Sequence, residues 1–153
     1  MRLLISAIGK LNKKSPEQAL IDDYVKKSRW PIAIKESEEK KALSGVALKE
    51  AESKLLWSAV PTGAKVIVLD ERGEEPSSRE LAQKICKWRD NGVQDIAFLI
   101  GGADGHTEET RKKADLILSF GRMTIPHMLA RVILTEQIYR IKTILDGHPY
   151  HRD

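Results

Sequence analysis

Short apolar runs alternate along the chain with longer stretches in which apolar residues return every third or fourth position. Residues 3–8 (Leu-Leu-Ile-Ser-Ala-Ile) form the first run and predict a strand. Ser15-Pro16-Glu17-Gln18 opens a helix, with serine as cap and proline at the first helical position. Residues 32–34 predict a short strand, and residues 46–60 a helix ended by Pro61-Thr62-Gly63. Residues 65–70, with Val-Ile-Val-Leu inside them, predict a buried strand of the kind parallel sheets use. Ser77-Ser78-Arg79-Glu80 starts another helix that ends near Asn91-Gly92. Residues 96–100 and 116–119 supply two more strands, and a last helix runs from about Pro126 to Leu145, stopped by Gly147 and Pro149.

Strands alternating with helices predict an α/β fold with a mainly parallel sheet flanked by helices, in a single domain of residues 1–153. The last helix is apolar on more than one side. Ala130, Leu134, Ile138, Ile141 and Leu145 make one stripe, and Met128, Leu129, Val132 and Ile133 widen it. One stripe covers the sheet. The second belongs either to a deeply buried helix or to a homodimer interface, and both readings stay open here.

Composition narrows the function classes only modestly. The chain is 41% hydrophobic and 31% charged, with a formal net charge of +4, which mildly favours an anionic partner. Cys86 is the only cysteine, so no intrachain disulfide and no thiolate metal site is expected. The apolar run at residues 1–8 is too short to span a membrane and lacks the basic segment of a signal peptide, which predicts a cytoplasmic protein with no membrane association.

Three segments could carry chemistry together: Leu69-Asp70, Gly101-Gly102, and Gly121, Arg122, Met123, Thr124, Ile125 and Pro126. Each follows a predicted strand, and in parallel α/β sheets ligands bind at the carboxyl ends of strands. For a single Gly-Gly pair, a tight turn is the commoner explanation. Gly101-Gly102-x-x-Gly105 is neither the dinucleotide fingerprint nor a phosphate-cradling NTPase loop. His148 and His151 resemble a metal pair, but Pro149 between them breaks the helix that pair needs, so no metal is expected. His127 reads as a structural histidine, and Asp70 as either functional or a cap of the following turn.

Arg131 and Arg140 sit between apolar residues of the last helix. They read either as salt bridges with Glu136 or another acidic neighbour, or as phosphate contacts. Tyr150, His151 and Arg152 combine a stacking face, a titratable ring and a phosphate donor, a set suited to RNA and unusual at a chain end, where residues commonly fray.

An ordered set of motifs runs through the chain: Leu69-Asp70-x-x-Gly73 with Ser77-Ser78, Ile100-Gly101-Gly102-x-x-Gly105, Leu118-Ser119, Thr124-x-Pro126-His127, Glu136-Gln137-x-Tyr139-Arg140, and His148-Pro149-Tyr150-His151-Arg152. On these residues the sequence resembles the large-subunit ribosomal RNA methyltransferase H family of the SPOUT superfamily along essentially its whole length. Departures are modest: Phe120-Gly121 and Arg122 stand where members vary, and Leu81 where an aromatic is frequent.

The resemblance implies a SPOUT-type α/β knot, with a deep trefoil knot in the carboxyl half, and an obligate homodimer. It implies transfer of a methyl group from S-adenosyl-L-methionine to N3 of a pseudouridine in the helix 69 loop of 23S rRNA, on assembled ribosomes. By the same carry-over, cofactor contacts fall at Leu69, Gly102 and the backbone of residues 121–126, with substrate contacts at Arg131, Arg140, Tyr150, His151 and Arg152. The tail reaches the substrate across the dimer or within one chain. A sulfonium donor needs no metal and no protein nucleophile, which suits the missing motifs. His151 is the candidate to assist loss of the N3 proton, with release to solvent an equal competitor. Two rivals remain: a non-catalytic RNA-binding or ribosome-assembly factor on the same fold, and a small-molecule α/β enzyme or nucleotide binder. Affinity for S-adenosylmethionine separates the first, and indifference to ribosomes the second.

Overall fold

The computed structural model describes residues 1–151; Arg152, assigned above to substrate contact, lies outside them. Five strands form one sheet in the order β2-β1-β4-β3-β5, and every pair is parallel. They are β1 (Arg2–Ile8), β2 (Ile32–Ser37), β3 (Lys65–Glu74), β4 (Asp95–Ile100) and β5 (Leu116–Leu118). Between them run α1 (Pro16–Ser28), α2 (Gly45–Ser58), α3 (Ser78–Asp90) and α4 (Glu108–Lys113), and α5 (His127–Asp146) follows β5.

Side-chain alternation along the strands sorts the core into two faces. Leu3, Ile5 and Ala7 of β1, Ile67 of β3, and Ile96, Phe98 and Ile100 of β4 point toward Leu81 and Ile85 of α3 and Leu134, Ile138 and Ile141 of α5. Ile8, Val66, Val68, Ala97 and Leu99 point the other way, toward Leu56 of α2. Both faces of the central strands are therefore covered, as an all-parallel sheet requires. The inner stripe of α5 includes Leu134, Ile138 and Ile141, whereas Leu129 on its other side remains 45% exposed.

Local chemistry explains the helix starts. Ser15 caps α1 by accepting from Gln18 N at 3.2 Å. At α3, Ser77 and Glu80 form a reciprocal capping box.

Three elements depart from expectation. Strand β2 continues to Ser37, past Ile34, because its register with β1 runs on to Ile8. Strand β3 continues past Asp70 to Glu74, irregularly, so that both Leu69 and Glu74 pair with Leu118. Helix α4, for which no element was expected, forms behind Thr107, which accepts from Thr110 N. Its charged, short sequence carries no apolar period from which to read it.

Candidate functional site: a cleft at the carboxyl ends of β3, β4 and β5

The three strand-end segments singled out in the sequence do converge. They line one cleft of about 300 Å³, at the lower end of small-molecule pockets. Leu69 comes from β3, Ile100 and the turn at residues 101–105 from β4, and Leu118 and the segment beyond it from β5.

Each wall is tied down. The Asp70 carboxylate accepts from Arg72 N at 2.9 Å and pairs with Arg111 at 3.5 Å. Arg111 also donates to the His106 carbonyl at 2.8 Å. Asp70 thus caps its own turn, and through Arg111 it joins the end of β3 to the loop before α4. On the β5 side, the Ser119 hydroxyl accepts from Gly121 N at 3.1 Å and donates to Gly121 O at 3.0 Å. That local ring holds Gly121 at φ +123°, a conformation side chains rarely adopt.

Two glycines keep the middle wall thin. A Cβ at Gly101 would lie 3.2 Å from His106 Cε1, and one at Gly102 would lie 2.8 Å from Glu52 Oε2. A side chain at either position would collide with what lies beside the turn, so the wall here is bare backbone.

Of the cofactor contacts expected from sequence, Leu69, Gly102, Gly121, Met123, Thr124 and Ile125 line the cleft. Arg122 and Pro126 belong to the same segment without lining it.

The substrate set is dispersed. Arg131 has no exposed side-chain surface and pairs with Glu36. It also donates to Ile8 O at 3.3 Å and Gly9 O at 3.2 Å. This corrects its assignment to phosphate contact: the guanidinium is a buried bracket between α5 and the ends of β1 and β2, and burial presses its pKa down. The salt-bridge alternative describes it, with Glu36 as partner rather than Glu136.

Arg140 does pair with Glu136, at 2.7 Å, and lies 5.2 Å from the centre of the Tyr150 ring. Tyr150 packs on Tyr139 at 4.3 Å between ring centres and donates to Glu136 Oε1 at 3.1 Å. The tail is therefore seated on its own α5. Residues 148–151 do not line the cleft of their own chain, so the described part of the tail does not cover it. His151 keeps a buried Nδ1 without a partner.

The setting of Tyr150 yields a titration. Burial, then the bond to Glu136, pushes its phenol up to about 12 from an ordinary value of 10.0. A pKa raised on folding means that the native state holds the proton more tightly. Its stabilisation is thus complete below pH 10.0 and fades as pH rises toward about 12. Ultraviolet titration should show a late tyrosine step that Tyr150→Phe removes; an unchanged profile would detach Tyr150 from Glu136.

Sequence reasoning missed His106 and Glu52. His106 is buried beside the glycine turn, lines the cleft and has an unpartnered Nε2; burial lowers its pKa. Glu52 had a legible signal, since it stands in the apolar stripe of α2 with Leu48 and Leu56. A carboxylate at such a position is rare without a purpose.

The comparisons with known proteins fit this geometry. Residues 1–151 match the family described as "Predicted SPOUT methyltransferase". The chain belongs to the SPOUT methyltransferase family.

It is 54% identical, over 99% of both chains, to the "Ribosomal RNA large subunit methyltransferase H" of Paramagnetospirillum magneticum. It is 49% identical, again over 99% of both, to the protein of that name from Rhodospirillum centenum. A probable methylase family protein of Haemophilus influenzae Rd KW20 shares the fold, with a TM-score of 0.59 at 13% identity over 99% of this chain and 70% of that one.

For a SPOUT methyltransferase the cofactor is S-adenosylmethionine, and the residues present fit it. Leu69, Ile100, Leu118 and Phe120 offer apolar surface for a nucleoside, and the bare backbone at Gly101 and Gly102 admits close approach. No cluster of three or more His, Cys, Asp or Glu among the described residues could hold a metal ion. Nor, among them, is any helix long and apolar enough to cross a membrane.

Proposed function

We propose that this protein is a 23S rRNA (pseudouridine-N3)-methyltransferase. In this reading it is a single domain of residues 1–153 with a trefoil knot in its carboxyl half, acting as a homodimer on assembled ribosomes in the cytoplasm. The observation that carries the reading is the convergence of the β3, β4 and β5 ends on one glycine-walled cleft. The full-length identity to proteins named ribosomal RNA large subunit methyltransferase H supports the substrate. The exposed Leu129 of α5 and the 84% exposed Met123 of the cleft lining support a second copy covering apolar surface here.

When bound, S-adenosylmethionine supplies a methyl carbon activated by its sulfonium sulfur. The protein's task is to place N3 in line with that carbon and to exclude water, so positioning accounts for much of the rate. Leu69, Gly102, Gly121, Met123, Thr124 and Ile125 would hold the donor, and the Asp70–Arg111 and Ser119–Gly121 contacts keep these walls in place. The N3 proton must leave as the new C–N bond forms.

His151 assists that loss, competing with direct release to solvent. Since Tyr150 and His151 do not line the cleft of their own chain, a homodimer delivers Tyr150, His151 and Arg152 to the cleft of the other protomer. Arg140, beside Tyr150, extends the phosphate-contact surface.

Calorimetric titration should show binding of S-adenosylmethionine; binding of NAD alone would overturn the reading. Mass spectrometry of 23S rRNA from a deletion strain should show one methyl group missing from the pseudouridine. His151→Ala should cut turnover by about a hundredfold with cofactor affinity intact, and unchanged turnover would retire the role.

A further inference from the structure

Glu52 is a buried carboxylate with no ion-pair partner among the described residues. It is 8% exposed, and its Oε1 has no hydrogen-bond partner. The side chain lies directly behind the cleft wall: a Cβ on Gly102 would meet Oε2 at 2.8 Å and Oε1 at 3.1 Å. Only the α-carbon of a glycine separates this carboxylate from whatever touches the wall.

The neighbouring charges make its position more costly. Burial, and then the like charges of Asp104 on the same turn and of Glu39, push its carboxyl above the ordinary range. The available cations do not cancel the group. Arg111 is engaged with Asp70, and burial disfavours the charged form of His106. Lys49 and Arg72 line the cleft along with Glu71 and Asp104, and neither is among the charges that act on Glu52. A buried anion without a partner is expensive to keep, so its retention beside a ligand site points to a positive charge carried by the ligand.

Resting on the methyl-donor reading above, we propose that Glu52, backed by Asp104, is the specificity-determining residue that makes the cleft prefer the sulfonium donor over the spent thioether. The chemistry supplies the difference. As N3 forms its bond to the methyl carbon with its own electron pair, the C–S bond breaks and its pair stays on sulfur. The N3 proton goes to a base or to solvent. Sulfur passes from a cation to a neutral thioether, while the ammonium, carboxylate and nucleoside of the molecule are unchanged. A fixed anion behind Gly102 therefore holds the reactant and releases the product. Positive charge is leaving sulfur in the transition state, so the attraction acts on binding more than on the chemical step.

The test is calorimetric titration of the full chain, as wild type, Glu52→Gln and Asp104→Asn, with S-adenosylmethionine and with S-adenosylhomocysteine. Glu52→Gln keeps the shape and removes the charge. It should weaken S-adenosylmethionine by about tenfold while changing S-adenosylhomocysteine by less than about twofold. Asp104→Asn, at an exposed position, should shift the ratio the same way by a smaller factor, and it carries the test if Glu52→Gln fails to fold. Parallel loss of both ligands, as expected if Glu52 only braces the turn, would overturn the proposal and leave the methyl-donor reading standing. An unchanged ratio would do the same. A wild type that binds neither ligand would end both.

Discussion

Arg131→Ala should lower folding stability by about 3 kcal/mol, because it strips three contacts from the interior at once. The guanidinium spans from α5 to Glu36 of β2 and to the carbonyls of Ile8 and Gly9. Alanine would leave the two carbonyls without their donor and the Glu36 carboxylate without its cation, and unmade bonds in a buried setting cost more than made bonds contribute. For a chain of this size the melting temperature should fall by roughly 6–12 °C, measured by calorimetry or circular dichroism. Pairing Arg131→Met with Glu36→Gln should recover part of the loss by removing the stranded charge. A phosphate-binding arginine would behave oppositely, leaving the melt unchanged and weakening RNA affinity. That outcome would reverse the structural assignment.

Gly73→Ala tests the close approach of β3 and β5 beside the cleft. Gly73 has an ordinary backbone conformation, so alanine could adopt it without strain; the obstruction is steric. Its Cβ would come within 2.5 Å of Ile117 O, 2.6 Å of Ile117 C and 2.8 Å of Leu118 N. All three are backbone atoms, and none can swing aside as a side-chain tip could. Either β3 or β5 must move, and the pairing of Leu118 with both Leu69 and Glu74 depends on their present spacing. Overpacking of this kind should cost about 3 kcal/mol. The displacement would carry Leu118, Ser119 and Phe120 with it, all of which line the cleft, so S-adenosylmethionine affinity should fall at least about tenfold. Denaturant titration and calorimetry read the two effects separately. Normal values in both would mean that the strands part without cost.

The two variants bear on different legs of the same structure. Arg131 fixes where α5 begins relative to β1, and so where residues 121–126 can lie. Gly73 fixes how closely β5 approaches β3. Neither touches a ligand, yet the cleft exists only when both are satisfied.

Much of this was legible beforehand. The period of apolar residues located all five strands and every helix except α4, because burial on two faces of a parallel sheet leaves near-continuous apolar runs that are hard to mistake. Ser15 and Ser77 marked their helix starts because a cap is a local device, complete within four residues. The turn glycines were legible as a site for the same reason, since a strand end followed by Gly-Gly leaves backbone free to meet a ligand.

What the chain could not disclose depends on distant neighbours. Arg131 carries the same signature in sequence whether it faces solvent or the interior, and only the approach of Glu36, 95 positions away, decides. Tyr150 reads as a free stacking platform until Tyr139 and Glu136 are found beneath it. Glu52 stands out in the apolar stripe of α2, but what it lies against is visible only once Gly102 is found beside it.

Local order and the identity of the elements thus follow from the sequence by itself, because they are set by propensity and burial within a short window. The loss of Arg131 to the interior, the seating of Tyr150 on α5 and the stranding of a carboxylate behind Gly102 were decided by tertiary structure alone. They arise from the distance and dielectric between residues that the chain keeps far apart.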